Sequence, residues 1–344
     1  MKLKMAVQVP PERHTGITVD SKLIRVSTVD MPKSEWLKFR ENGIGASEIA
    51  TVMGLNQYKS AHQLFYEKVE GTPEQEDSIP MFMGRYNEES IADLWQYWET
   101  DQLAMIKNYN EKRIVRKCRK INAYLINPDF PHLFASLDRV INKNGTDKEQ
   151  ALELKTISAF SSDQWIAGIP PQYIVQLQQQ LLVSGLEEGE LCILKDGRYM
   201  EVYSFSRNEE IIKNIIEQST HFWNNVLEAR KLLKLDLPFE HLEPEIDNIE
   251  AYKDYLNEKF TATAQKAEAT DDIYFTGMEY LKCNEDEKAI KTEKTRLTNI
   301  IKAHMGNASL IDYGAGGKIT WNEDKTGKRT MLVKLKETKK AEAA

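Results

Sequence analysis

Leu133-Phe134-Ala135-Ser136-Leu137-Asp138-Arg139-Val140, followed beyond Asn144-Gly145 by Ala151-Leu152-Glu153-Leu154-Lys155-Thr156, is the stretch on which the fold turns. Both runs alternate apolar and polar residues, and Asn-Gly between such runs is the strongest short-range signal for a β-hairpin. In the second strand Leu152 and Leu154 face one way and Glu153 and Lys155 the other, because side chains alternate across a strand. Pairing centred near Gly145-Thr146 sets Asp138 opposite Glu153 and Ser136 opposite Lys155. Pairing centred on Asn144-Gly145 shifts the partners by two residues and keeps all four on one face; a one-residue slip would separate them. That face carries two carboxylates, a lysine and a hydroxyl. Close carboxylates repel, and a bound cation relieves the repulsion. Two acidic oxygens and several waters suit Mg²⁺, with Mn²⁺ as a substitute. Lys155 would then hold or polarise an attacking water.

The chain has 344 residues, enough for one large domain or two ordinary ones, and 41% are hydrophobic, enough for a sizeable core. Its formal charge of −7 argues against non-specific wrapping of nucleic acid, which favours a strongly basic surface. A DNA enzyme whose basic residues line only a channel stays open. Cys118, Cys192 and Cys283 are scattered and odd in number, which excludes a disulfide framework, a zinc knuckle and a four-cysteine cluster within this chain and suits a reducing cytoplasm. No apolar run is long enough to span a membrane, and Met1-Lys2-Leu3-Lys4 lacks the apolar region of a signal peptide. No two histidines have metal-ligand spacing on a helix. A Ser136/His132/Asp138 hydrolase triad fails because no nucleophile elbow is present.

Along the chain, residues 1–33 read as a polar arm. Ser34 caps a helix through Arg40, and Ser47, behind Gly43 and Gly45, is positioned to cap a second helix whose N-terminus would form an anion site. Ser60 to Val69 reads as a helix closed by Gly71. Glu88 falls in the first turn of a helix continued by Ile91, Leu94, Trp95 and Trp98. Residues 104–127 read as strands carrying the basic cluster Arg113, Arg116, Lys117, Arg119 and Lys120. Pro171 opens a helix on which Ile174, Leu177 and Leu181 form a core stripe; Tyr173, Gln176 and Gln180 share another face directed at the carboxylates. A hairpin turns at Asp196-Gly197. Ser206-x-x-Glu209 reads as a capping box for a helix to about Leu233. Pro238 and Pro244 mark a linker, followed by two charged helices read as an αα-hairpin, then a small β-hairpin and a basic tail.

Three stretches resemble one family together. Trp36-Leu-Lys-Phe-Arg40 with Gly45-Ala46-Ser47, then Gly84-x-x-x-Glu88, then Ser136-x-Asp138…Glu153-x-Lys155 with Tyr173-x-x-Gln176-x-Gln178, are similar to the YqaJ-type viral recombinases, which include the lambda-type exonucleases of the PD-(D/E)xK superfamily. The resemblance covers about residues 34–205. It implies an α/β (α+β) fold: a restriction-endonuclease-like core with a central mixed sheet flanked by helices, over residues 34–240, and a C-terminal extension over 241–344. It implies that Asp138 and Glu153 bind catalytic Mg²⁺ assisted by Glu88, and that Lys155 positions or polarises water. Arg40 and Ser47 would hold a 5′-phosphate, Ser136 would contact phosphate, and Gln176, with Tyr173 and Gln178, would support the site. The activity expected is Mg²⁺-dependent 5′→3′ digestion of linear double-stranded DNA from 5′-phosphorylated ends. This would leave 3′ overhangs for a single-strand annealing protein in phage-type recombination in a host cytoplasm. A homo-oligomer, a trimeric ring by the same resemblance, is implied. The alternatives are a structure- or sequence-specific endonuclease on this core and a catalytically inactive DNA-end-binding protein.

Overall fold

The computed structural model describes residues 22–336 apart from 73–76, 143–147, 159–164, 166–167, 261–262 and 264–265; the Asn144-Gly145 turn, residues 1–21 of the arm and the end of the basic tail therefore lie outside the described residues. The chain forms two compact units, Met1–Thr261 and Ala262–Ala344. In chain order the first contains β1 (Ile24–Ser27), α1 (Lys33–Arg40), β2 (Ile44–Gly45), α2 (Ile49–Val52), α3 (Ala61–Glu70), α4 (Ile79–Trp95) and α5 (Gln102–Asn110). These are followed by β3 (Cys118–Arg119), β4 (Ala123–Ile126), β5 (Leu133–Ala135), β6 (Arg139–Asn142), β7 (Glu149–Ile157), α6 (Pro171–Ser184), β8 (Glu188–Lys195), β9 (Tyr199–Ser206), α7 (Glu209–Lys234) and α8 (Glu250–Lys259).

The decisive stretch divides between two sheets. Leu133–Ala135 is not the first half of the hairpin: as β5 it pairs antiparallel with β4 and parallel with β2. The chain then bends through Ser136-Leu137-Asp138, and the hairpin begins at Arg139, with Arg139 opposite Leu152 and Asn142 opposite Glu149. This is the register centred near Gly145-Thr146. Extended by one step it sets Asp138 across from Glu153. The hairpin lies in a five-stranded mixed sheet of order β3-β6-β7-β8-β9. β7 and β8 run parallel, so the chain must cross back between them, and α6 makes that connection.

Both faces of this sheet are covered, which is why β7 is buried on both sides. Ala151 joins the core of α6 and α7 with Leu177, Leu181, Ile215 and Val226. Leu152 and Leu154 pack on the opposite side against Ile91 and Trp95 of α4 and Cys192 of β8. The alternation expected along β7 thus separates two cores, and Glu153 projects into the α6 layer.

Several local expectations shift. Residues 102–110 are helical, because the Asp101 side chain accepts from Ala104 N at 2.9 Å and caps α5. α4 begins at Ile79, capped by Ser78, so Glu88 sits well inside the helix rather than in its first turn. α7 is capped by Asn208, whose side chain accepts from Glu210 N and Ile211 N; Ser206 ends β9 instead. α3 is as expected, with Ser60 capping it and Gly71 closing it at φ 106°. The αα-hairpin is not formed as one element. α8 belongs to the first unit, where Tyr252 is buried against His62 of α3, with ring centroids 5.0 Å apart. The segment before it is held by Glu243, which accepts from His62 Nε2 at 2.8 Å and from the Tyr66 hydroxyl. These contacts place the unit boundary after α8 rather than at residue 240. The second unit consists of α9 (Asp271–Met305) and a three-stranded antiparallel sheet, β10 (Leu310–Asp312), β11 (Gly317–Glu323) and β12 (Arg329–Leu335), where a two-stranded hairpin was expected.

Candidate active site

The site is assembled where the two sheets meet over α6. Asp138, at the bend between β5 and β6, accepts from Leu154 N at 2.8 Å through Oδ2, which fixes it against β7. Glu153 is almost fully buried, with 3% of its side chain exposed, and all its partners are donors. Its Oε1 accepts from Gln176 and pairs with Lys155 Nζ at 2.7 Å; its Oε2 accepts from Gln180 Nε2 at 2.6 Å. Gln180 also donates to Ser136 O at 3.2 Å, so one amide links the strand carrying Glu153 to the bend carrying Asp138. Ser136 itself is exposed beside the bend.

The charges are unbalanced in a way that favours a cation. Burial, then the neighbouring Glu153, and to a lesser degree Glu88, push the Asp138 carboxyl well above its ordinary range despite the attraction of Lys155. Glu88, reaching in from α4, is also pushed up, first by burial and then by Glu153, against the pull of Lys120, Arg139 and Lys155. Lys155 goes the other way. Burial alone would lower it, but Glu153 and Asp138 outweigh that and hold the ammonium above its usual value. With these carboxylates beside it the ammonium form is favoured.

Among the described residues no three His, Cys, Asp or Glu side chains form a ready-made metal cage. The donor set present, Asp138 with Glu153 and with Glu88 at electrostatic range, instead fits a hard ion that uses one or two carboxylates and keeps several waters, as Mg²⁺ does.

Of the residues expected to support the site, Gln176 lies against Glu153 and Gln178 does not. Gln178 donates to Ser206 O at 3.0 Å and accepts from Asn208 N at 2.8 Å, tying α6 to the β9–α7 turn. Its place at the site is taken by Gln180. Helical spacing from Tyr173 and Gln176 had put Gln180 on the right face, whereas the motif pointed to Gln178. Tyr173 stacks on Trp165 at 5.5 Å, and its ring centroid lies 5.9 Å from Lys155 Nζ. Gln179, also buried, donates to Ile44 O at 2.9 Å and Phe134 O at 3.1 Å, clamping β2 to β5. The glutamine run is thus an internal brace.

Arg40 and Ser47 come together, but not as a helix-capped anion site. α2 is a single turn, its N-cap position is Glu48 with no side-chain cap, and Ser47 is exposed. Arg40 Nη2 lies 3.4 Å from Ser47 Oγ and 2.7 Å from Glu48 Oε1, and its guanidinium stacks 4.8 Å over Trp36. Glu48, which no sequence signal singled out, is the hub. It also binds Lys68 Nζ at 3.0 Å and accepts from Gly45 N at 2.8 Å. Burial would raise its carboxyl, but Arg40 and then Lys68 hold it down to about 2. The basic cluster after α5 is likewise largely neutralised: Arg113 pairs with Glu99, Arg116 with Glu190, Arg119 with Glu149 and Lys120 with Glu89.

The mixed sheet thus sets Asp138, one residue before β6, beside Glu153-Leu154-Lys155 of β7, with helices on both faces. Residues 35–187 match the model of the YqaJ-like viral recombinase domain. The chain is 27% identical over 293 residues to the uncharacterized protein YqaJ of Bacillus subtilis (strain 168), which covers 83% of this chain and 81% of that protein. Among solved structures it is similar to an alkaline exonuclease, LHK-Exo, from Laribacter hongkongensis, at 18% identity and TM-score 0.47 over 59% of this chain and 97% of that one. It is also similar to a phage related exonuclease from Haemophilus somnus 129PT, at 10% identity and TM-score 0.36 over 56% of this chain and 96% of the other.

Proposed function

We propose that this protein is a Mg²⁺-dependent deoxyribonuclease that degrades linear double-stranded DNA 5′→3′ from phosphorylated ends. The observation that carries this reading is the acidic pair of half-buried Asp138 and buried Glu153 with the charged Lys155 against it. Asp138 and Glu153, with Glu88 nearby, would hold the ion. When bound, such an ion acts as a Lewis acid on the scissile phosphate and acidifies its water.

The chain's own residues would do the rest. Lys155, kept protonated by Glu153 and Asp138, orients water or a phosphate oxygen by donating and does not abstract a proton. Gln176 and Gln180 fix the Glu153 carboxylate, so no reorientation is needed as charge develops. Arg40, stacked on Trp36 and braced by Glu48, has further guanidinium donors for a terminal phosphate, with Ser47 and Ser136 exposed to assist. The 3′ overhang produced would be the substrate of a single-strand annealing protein.

Comparing 5′-phosphorylated with 5′-hydroxyl linear duplexes and a closed circle tests the end preference. Faster loss of the phosphorylated end with the circle intact is expected. The engagement of Arg40 by Glu48 favours, as the second reading, an endonuclease on the same core, and cutting of the circle would establish that instead.

A further inference from the structure

The basic cluster of the first unit is largely neutralised by nearby carboxylates; that of the second unit is not. Residues 288–336 carry eleven lysines and arginines against four aspartates and glutamates, a net +7 in a chain whose whole charge is −7. Three of those anions are used internally. Asp312 Oδ1 accepts from Gly314 N at 2.8 Å, and Asp324 Oδ1 accepts from Thr326 N at 2.8 Å and Lys328 N at 3.1 Å. Glu293 pairs with Arg296 at 2.7 Å.

The three-stranded sheet turns two different faces outward and inward. Ile319 is buried, and Trp321 lies 5.2 Å from Lys302 Nζ of α9, so this face of β11 is the one that α9 covers. Glu323, the fourth anion, shares that face by alternation. The opposite face carries Lys318, Thr320 and Asn322 of β11 and Thr330, Leu332 and Lys334 of β12. Lys318 stands directly across from Lys334 in the ladder, and like charges so placed cost stability. Among the described residues neither lysine has an ion-pair partner. Lys336, whose N–H extends the ladder by donating to Gly316 O at 3.0 Å, adds a third exposed ammonium.

We propose that this outward face grips double-stranded DNA through its phosphates, as a second DNA surface that does not include Arg40, Ser47, Ser136 or Lys155. Lysine with threonine and asparagine is a set that contacts phosphate and sugar, and the major groove of a duplex admits a two-stranded ribbon such as β11–β12. Bidentate arginine is the commonest reader of base identity. Both arginines of the unit are already engaged, Arg296 by Glu293 and Arg329 by the carbonyls of Gly306, Ala308 and Trp321. The grip is therefore indifferent to sequence, and a bound phosphate relieves the opposition of Lys318 and Lys334. It needs neither a DNA end nor a metal, so it stands independently of the nuclease reading.

The test is fluorescence anisotropy of the full-length protein in EDTA with a duplex closed by hairpin loops at both ends. Lys318→Gln, Lys334→Gln and Lys336→Gln together are expected to weaken binding by about tenfold or more, and to flatten the slope of log K against log salt by about 2–3, near 0.9 per lost phosphate contact. The same three positions changed to Arg should bind as the wild type does, which separates lost charge from misfolding. Lys213→Gln, Lys234→Gln and Lys253→Gln together, which remove as many exposed lysines from the first unit, should also bind as the wild type does. A second duplex of shuffled sequence should bind within about twofold. No binding of the closed duplex, equal losses in the two glutamine variants, or loss in the arginine variant would overturn the proposal. So would polyglutamate of matched charge displacing the probe as well as unlabelled duplex does, which would make the partner an acidic polypeptide. Failure of the nuclease reading would show instead as absent digestion, with this binding intact.

Discussion

Gln180 donates one amide to Glu153 Oε2 at 2.6 Å and to Ser136 O at 3.2 Å, and so bridges the two chain segments that carry the acidic pair. The separation of Asp138 from Glu153 is therefore set partly by a helix that contributes no charge. A hydrogen bond to a buried carboxylate is worth about 1.5–3 kcal/mol. Gln180→Leu is expected to weaken Mg²⁺ binding, read by calorimetry, by about tenfold to a hundredfold, the usual cost of losing a residue that orients a metal ligand. Gln178→Leu is expected to lower thermal stability while leaving the Mg²⁺ titration within about twofold, because its partners are Ser206 and Asn208.

Lys155 is held charged, and the rate should show it. Lys155→Ala is expected to lower the single-turnover rate by about a hundredfold or more, with DNA affinity changed much less, since the lost donor acts on the reacting groups. In the wild type no rise in rate attributable to lysine deprotonation should occur between pH 7 and 9. A base-limb inflection in that interval, absent from Lys155→Ala, would assign Lys155 the base role instead.

Glu88 repels Asp138 when no cation is present. Glu88→Gln is expected to raise the melting temperature of the metal-free protein at pH 8 and to shrink the further rise on adding Mg²⁺, because the charge it removes opposes folding and favours the ion. Paired melts with EDTA and with Mg²⁺ read both changes.

Glu48 should govern stability in acid. Its folded carboxyl is held down to about 2 against an ordinary 4.5, so its contribution is fully present above about pH 4.5 and is lost as pH falls through about 2. The shift corresponds to about 3 kcal/mol. Glu48→Gln strands Arg40 and the buried Lys68 without their carboxylate. Denaturant melts should show it roughly this much less stable than wild type at neutral pH, with the gap closing between pH 4.5 and 2.

Much of the site was legible because β7 obeys a simple period. Alternation put Glu153 and Lys155 opposite Leu152 and Leu154, and of the two registers the turn left open the β6–β7 ladder adopts the one centred near Gly145-Thr146. Helical spacing put Gln180 beside Gln176 for the same kind of reason. What escaped depends on contacts distant in sequence. Nothing local signals that Leu133–Ala135 leaves the hairpin for another sheet, since an apolar triplet fits either. Glu48 becomes a hub only because α3 delivers Lys68 and α1 delivers Arg40 to it. The basic residues after α5 looked like a patch because their carboxylate partners lie as far off as Glu190.

The most direct test of the central claim is Mg²⁺-dependent digestion of a linear duplex labelled at its 5′ and 3′ ends, comparing wild type with Glu153→Ala and Lys155→Ala. The account predicts early loss of the 5′ labels with the 3′ labels retained, in the wild type only, and neither lost in EDTA. Equal digestion by wild type and Glu153→Ala would contradict it.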